Sequence, residues 1–513
     1  MGSKPRKPVA PKAPAPSAPK PASPELDTAL VDECEDALDR LLEQSAEPGE
    51  SFEAYERRML RIVHELARRK LEKKLQTVAD SFGPRLAIDR NTDWHGRRED
   101  TADTYRRHCP GTVTYHSLVG PLRVRRYTYR ACSSLATQVP LELAAGLMER
   151  MTPGLARCIA IGYAHMPLRT CEELMRAGSL CPPSRSTLDR TARDLGAYAV
   201  ASNAEIEPQL RANEVLPVGT SLVAIGLDRV AVPMRHGEED AGVTGYCSDL
   251  HRRRPHPTPR SRLRGPVQWR MDYVGTVAYF DAHKTLLGSR KYRLPGEASI
   301  SGIVERVMSD VRHALVQRPV ELAVVQDGAP ELWASIQSAL RNEPQVSTWT
   351  EVLDWYHLDE RLTKCLDACV DEADRETQRA AWHAALLEKP RGARTVIRAL
   401  KAHADTAATD AAVELAMHIG YFETHRARMD YRACRARGIP IGSGVTEGAC
   451  KSVVNVRAKR SGQRWSQRGL TAALHLRAMH ESDRFDGFWS FFSRRYRATT
   501  IVPLGADSPH ASY

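Results

Sequence analysis

Two aspartates stand where runs of apolar residues stop. Asp228 follows Val223-Ala-Ile-Gly-Leu227, and Asp327 follows Leu322-Ala-Val-Val-Gln326. A carboxylate at the edge of a buried run is costly unless it is paired or bound to a cation. Neighbouring strands can bring two such groups within a few ångströms, where they repel unless a divalent cation lies between them. One such acid alone is more simply a turn or cap residue; two in the same local setting point to a metal site. A third acid, Glu447, lies in Pro440-Ile-Gly-Ser-Gly-Val-Thr-Glu-Gly-Ala-Cys-Lys-Ser-Val-Val-Asn-Val-Arg-Ala-Lys-Arg460. Ser443 is placed to cap a helix there, which puts Glu447 in the first turns. Glu447, Lys451 and Asn455 are spaced i, i+4, i+8 and share one face; Lys459 continues it, and Arg457 and Arg460 flank it. At 1.5 Å per residue, Glu447 to Lys459 spans about 18 Å, the reach of several phosphates. One carboxylate followed by cations fits a metal ligand beside a nucleic-acid track, with a solvated Glu–Lys pair as the plainer alternative. Arg464 and Trp465 follow, and the Trp can stack on a base or fill a core. Asp354 and His357 close a further short run, Val352-Leu353. They are placed to orient the site, to contact DNA, or simply to satisfy loop backbone.

These residues need a sheet to gather them, and the pattern from residue 220 supplies one. Strand-like runs cover 221–232, 273–280, 284–294 and 321–326, with a helix over about 300–317. Residues 360–437 are almost entirely helix-forming, and Gly438 to Gly444 interrupts the chain before the Glu447 helix. Upstream the period differs. Leu26, Leu30, Cys34 and Leu38, then Phe52, Tyr55, Met59, Val63 and Leu66, repeat at helical spacing. Thr112–His116 and Leu122–Tyr129 are β-rich runs flanking Gly120-Pro121 and predict a hairpin. Thr170–Leu180 and Pro182–Leu195 read as helix, Gly-containing turn, helix. As a helix-turn-helix, this pair would put Arg185 and Arg190 near a DNA groove; as a plain helical hairpin, it would only pack. His108, Cys109, His116 and Cys132 lie close in sequence, but Cys132 is followed by two serines, so the CxxC pair of a zinc ribbon is missing.

The 513 residues carry 74 Lys+Arg against 63 Asp+Glu, a net charge of +11. That excess points to a polyanion partner only through its distribution. Residues 1–24 are a Pro/Ala/Lys segment with five basic residues and no acid, which predicts an extended disordered tail. Further basic clusters fall at 123–130, 252–264 and 451–468. No run of about 18 apolar residues is present, so no membrane span is expected. Eleven scattered cysteines and the lack of an apolar N-terminal leader predict reduced thiols and a cytoplasmic, nucleoid-associated protein.

The motifs VAIGLDRVAV, LAVVQDGAPELW, DWYHLDERL and IPIGSGVTEGACKSVVNVRAKRSGQRW, in that order, resemble those of bacterial insertion-sequence DDE transposases, in particular the Kra-type branch. The resemblance covers about 220–480, more weakly 105–200. It implies an α/β fold: an RNase H-like core with an all-α insertion, preceded by a mainly α DNA-binding region containing a β-hairpin. The expected division is a tail (1–24), N-terminal helices (25–105), a hairpin and helix-turn-helix-like region (106–215), the first part of the core (216–360), the helical insertion (361–438), the end of the core (439–495) and a C-terminal tail (496–513). By carry-over, Asp228, Asp327 and Glu447 would hold two divalent cations, Mg²⁺ or Mn²⁺ as its substitute. The implied reaction is cleavage at insertion-sequence ends followed by 3′-OH strand transfer. Implied partners are double-stranded DNA, as transposon ends and target, and further copies of the chain on that DNA, with no membrane. Other readings are an inactive, transposase-derived DNA-binding protein and an RNase H-like nuclease without strand transfer.

Overall fold

The computed structural model describes residues 28–90, 103–148, 150–235, 267–295, 300–497 and 499–504. The 1–24 tail and the 252–264 basic loop lie outside the described residues. The chain divides into two compact units, 1–67 and 68–513. In the first, the helix Thr28–Gln44 is joined to the start of the helix Phe52–Asp80 by a short loop. Arg58 clamps that loop, with its guanidinium 2.6 Å from the Glu50 carboxylate and donating to the Leu42 carbonyl at 2.5 Å.

The second unit contains two sheets. We number the strands β1 (Arg85–Arg90), β2 (Asp103–Ser117), β3 (Gly120–Ala131), β4 (Thr137–Gln138), β5 (Leu222–Met234), β6 (Gln268–Phe280), β7 (Leu286–Pro295), β8 (Glu321–Gln326), β9 (Thr350–Leu353) and β10 (Thr499–Pro503). The first sheet has the order β10-β1-β2-β3-β4. The predicted hairpin is its centre, with Ser117 facing Gly120 across the turn. Three of its strands were not legible, the two-residue β4 that pairs with the end of β3 among them. β1 lies where only helices are expected, and β10, inside the expected C-terminal tail, pairs antiparallel with β1.

The second sheet has the order β7-β6-β5-β8-β9. β5, β6 and β7 form an antiparallel meander, and β8 and β9 add in parallel beside β5. The first half of β5 is buried on both faces, which is why it reads as an unbroken apolar run. On one face, Val304, Val307 and Val311 of the helix Ile300–Gln317 and Trp333 and Ile336 of the helix Pro330–Arg341 pack on Val223, Ile225 and Val324. On the other, Leu222, Ala323 and Val325 meet the helices that fill 355–437, including Leu358, Leu362, Leu415 and Phe422. The second half of β5 enters a third core. There Val230 and Val232 join Leu188, Leu195, Val453, Leu470, Leu474 and Phe488 from helices before and after the sheet. β5 therefore ties all three cores together, and Asp228 falls where they meet. The Asp272–Arg293 pair, both side chains 3% exposed or less, bridges β6 and β7 at 2.6 Å. No helix among the described residues is long and apolar enough to cross a membrane.

Candidate active site

The register of the central sheet lines up three carboxylates. Ile225 pairs with Val324, and Val324 with Glu351. Asp228, Asp327 and Asp354 each stand three residues beyond that row, so they share one level on three neighbouring strands. With strands spaced about 4.8 Å, Asp327 sits one strand from each of the other two. All three lie past the carboxyl ends of the parallel ladder, where an open α/β sheet leaves a crevice.

Their surroundings differ. Asp228 is partly buried. One carboxylate oxygen accepts the Arg229 backbone N–H at 2.6 Å, and the other accepts the Cys450 thiol at 3.2 Å. Burial raises its pKa and the neighbouring charge of Asp327 adds to that, with the two donors and His357 opposing. The Arg229 side chain offers no relief, because it pairs with Glu331 at 2.5 Å instead. Asp327 accepts the Ala329 N–H at 3.0 Å, while its carbonyl takes the Trp333 indole N–H at 2.6 Å. A side chain at Gly328 would come within 2.4 Å of the Tyr421 ring, so the turn after Asp327 is clamped by the helical segment.

Asp354 is fully buried and fully engaged. It caps the helix Trp355–Cys369 by accepting the His357 N–H at 2.9 Å, accepts from His357 Nδ1 at 2.7 Å, and accepts the Ser443 N–H at 2.5 Å. Burial would raise its pKa, but these hydrogen bonds outweigh it and the net shift is downward. Asp354 in turn raises the His357 pKa to about 9, against the cost of burial and with help from the Asp327 charge. His357 is thus an imidazolium at neutral pH, facing the row.

Glu447 arrives from the helix Gly444–Ala449. Tight packing on β5 places it: a Cβ at Gly226 would lie 1.9 Å from Thr446 Oγ1, and Thr446 Oγ1 is 2.7 Å from Thr276 Oγ1. The missing side chain two residues before Asp228 is what lets this helix lie on the strand. Glu447 Oε2 accepts from Lys451 Nζ at 3.2 Å. Its carboxylate also comes within 4.8 Å of ligand atoms of Asp354 and His357, a group that could hold a metal ion only with His357 neutral; Asp228 and Asp327 are not in that group.

Several sequence expectations need correction here. Ser443 makes no side-chain cap; it is buried and gives its backbone N–H to Asp354. The expected Glu447–Lys451–Asn455–Lys459 face is not continuous. Residues Cys450–Asn455 form a π-helix, whose extra residue per turn rotates the side chains beyond it out of line, and Asn455 Oδ1 is buried without a partner. Arg457 and Trp465 are not offered to DNA. Arg457 is 2% exposed, donates to the Tyr163 carbonyl at 3.0 Å and stacks 4.6 Å over Trp465. Burial lowers its pKa to about 10. Trp465 extends the end of β5, exchanging backbone hydrogen bonds with Pro233 and Arg235, and its indole donates to the Ala458 carbonyl at 3.1 Å. Lys451, Lys459 and Arg460 are exposed, and Arg464 is half-buried.

Away from the row, Ser184 caps the helix Arg185–Ala201, with Thr187 N 3.4 Å from its hydroxyl. Arg190 is exposed on this helix, and Arg185 pairs with Glu172 at 2.9 Å across the predicted turn. Cys450 and Thr446 were missed as site residues although both lie in the quoted motif. The spacing Gly226-Leu-Asp228 was the available signal: a glycine inside a buried strand marks close approach of another backbone.

No protein-family model matches the chain, and no curated protein matches it. Among solved structures, the Drosophila P element transposase strand transfer complex is similar at 10% identity and a TM-score of 0.22, over 69% of this chain and 83% of that chain. A TM-score that low leaves the site's own geometry as the ground for a functional reading.

Proposed function

We propose that this chain is a DDE transposase: it cleaves DNA at insertion-sequence ends in a metal-dependent reaction and joins the freed 3′-OH to target DNA. The observation that carries the reading is the shared level of Asp228 and Asp327, with Glu447 brought to the same crevice by the Gly226–Thr446 contact. The strand order, an antiparallel meander followed by two parallel strands, supports an RNase H-like core. The long helical stretch 355–437 between β9 and the Glu447 helix supports the expected insertion.

The donor set suits a hard divalent cation. Asp228 is a partly buried carboxylate whose one side-chain donor among the described residues is a neutral thiol, and Asp327 and Glu447 keep free lone pairs; the side chains whose ligand atoms already lie within 4.8 Å of one another are Asp354, His357 and Glu447. Asp354 is the weaker ligand, since three donors already occupy it. It is better read as a positioning residue that ties His357 and the start of the Glu447 helix to β9. Two Mg²⁺ ions held by Asp228, Asp327 and Glu447 would supply an activated water and charge neutralisation at the leaving oxygen. The chain's own groups do the rest. The His357 imidazolium is placed to meet a phosphate oxygen. Exposed Lys451, Lys459 and Arg460 line the approach for the DNA backbone, and Arg185 and Arg190 offer contacts from the upstream helix pair. Bringing two ends together calls for at least two copies of the chain.

The test uses a duplex carrying the inverted repeats that flank the gene. With Mg²⁺, the chain nicks at the repeat end and joins the 3′-OH to a second duplex; Asp327→Ala abolishes both while leaving end binding intact. Cleavage without joining would replace this reading by the nuclease one, and binding without cleavage by the DNA-binding one.

A further inference from the structure

Asp354, His357 and Glu447 each offer one ligand atom, and these atoms lie within 4.8 Å of one another. Local structure holds them there. Asp354 caps the helix Trp355–Cys369 and puts His357 one turn on, so carboxylate and ring meet at i, i+3. Asp354 also accepts the Ser443 N–H, which fixes the start of the helix Gly444–Ala449 that carries Glu447. The Asp354 side chain is closed off from water, whereas those of His357 and Glu447 are 41% and 30% exposed. An ion can therefore reach the group without opening the fold.

This set differs in kind from Asp228, Asp327 and Glu447. It contains an imidazole nitrogen, which Mg²⁺ accepts poorly and Zn²⁺ accepts well. Two carboxylate oxygens, one ring nitrogen and a water make the four-coordinate shell of Zn²⁺. Asp354 Oδ2 accepts the His357 backbone N–H at 2.9 Å and the ring Nδ1 at 2.7 Å. The first bond caps the helix and stays. The ring proton is what the ion replaces: one proton leaves as one divalent cation enters, and Oδ2 keeps two partners. The exposed ring can tilt to widen the 2.7 Å gap to about 3.3 Å, the ligand separation around a tetrahedral ion with bonds of about 2.0 Å. Asp354 holds the His357 pKa at about 9, so an ion that binds imidazole weakly leaves the proton in place. Glu447 belongs to both sets. Its ion pair with Lys451, at 3.2 Å, is exposed on the lysine side and readily given up.

We propose that Asp354, His357 and Glu447 form a regulatory site for a borderline divalent cation such as Zn²⁺, which draws Glu447 away from the Mg²⁺ ligands Asp228 and Asp327. Filling one site empties the other, because a single carboxylate completes both. The binding of Zn²⁺ stands on this group alone; the antagonism with Mg²⁺ rests on the transposase reading.

The experiment measures Zn²⁺ binding to the full chain, without DNA, by competition with a chromogenic chelator. His357→Gln should weaken binding by about a hundredfold, His357→Asn should behave alike, and Glu447→Gln should weaken it by about tenfold or more. Asp228→Asn should leave it unchanged. Zn²⁺ held by cysteines elsewhere on the chain appears equally in every variant and drops out of the comparison. Added Mg²⁺ should lower the Zn²⁺ affinity of the natural chain, and Asp327→Ala, which removes a Mg²⁺ ligand but no Zn²⁺ ligand, should abolish that effect. Equal Zn²⁺ binding by the natural chain and both His357 variants overturns the proposal. So does a loss in Asp228→Asn as large as that in His357→Gln, which would put the Zn²⁺ among the Mg²⁺ ligands instead. Zn²⁺ binding that ignores Mg²⁺ overturns the antagonism. Failure of the transposase reading appears elsewhere, as cleavage surviving Asp327→Ala, and is independent of what the chelator reports.

Discussion

β5, β6 and β7 hold a buried and a partly buried carboxylate in opposite settings. Asp272 on β6 meets Arg293 on β7 with three hydrogen bonds between 2.6 and 3.0 Å, and both side chains are closed off from water. Asp228, one strand away, has a backbone N–H and a thiol, and the one arginine beside it turns to Glu331. The first pair is complete and has no capacity left for a ligand. The second has no ion-pair partner among the described residues, and the His357 charge is the smallest of the influences on its pKa. Under the proposed function, the missing partner is a cation that arrives from outside.

Breaking each half of that comparison should give opposite phenotypes. Asp228→Asn, Asp327→Ala and Glu447→Gln should each reduce Mg²⁺-dependent strand cleavage by about a thousandfold or more without lowering the thermal midpoint. If cleavage persists in these variants, the row is not the reacting site. Arg293→Met, by contrast, strands Asp272 in the core and should cost about 3–5 kcal/mol, read by denaturant unfolding. Replacing Asp272 and Arg293 together by apolar residues should recover most of that loss, because no unpaired charge remains.

A smaller effect sharpens the contrast within the row itself. Asp354 raises the His357 pKa to about 9. In Asp354→Asn that support is lost, and an NMR titration of the His357 ring should move down towards the ordinary 6.5. A His357 pKa unmoved by the change would mean that Asp354 does not hold the imidazolium. The smallest effect concerns stability and pH. Burial raises the Asp228 pKa in the folded state above its unfolded value. The group is therefore neutral in both states, and harmless, well below the carboxylate range. It disfavours folding as pH rises through that range. Asp228→Asn should match the natural chain at low pH and become the more stable of the two towards neutrality. A stability difference that does not change with pH would remove Asp228 from the uncompensated class.

The parts of the site that could be read in the sequence are those with local signatures. Apolar runs of strand length announced β5 and β8, and the acids that end them stood out because charge rarely borders such runs. The hairpin and the helical stretch 360–437 were equally visible, since period 2 and period 3.6 are written in neighbouring residues. Other parts depended on partners far along the chain. β10 was invisible because five residues become a strand only when β1 lies beside them. Arg457 and Trp465 looked like DNA contacts because composition cannot tell an exposed arginine from one stacked on a tryptophan inside a core. The face expected from Glu447 to Lys459 was lost to a π-turn, which i, i+4 counting does not anticipate.

By itself, then, the sequence determined which residue types were available and which elements would carry them: acids at strand ends, a basic hairpin, a glutamate at the start of a helix. It did not determine that Asp228, Asp327 and Asp354 share one level, because strand register is set by pairing between segments far apart along the chain. Nor did it determine which carboxylate is free. Asp354 and Asp228 look alike in sequence, and only the tertiary structure gives the first three donors and leaves the second without an ion-pair partner among the described residues. The physical reason is that hydrogen-bond supply to a carboxylate is a property of the assembled neighbourhood, while the cost of burying it is already fixed by the strand on which it stands.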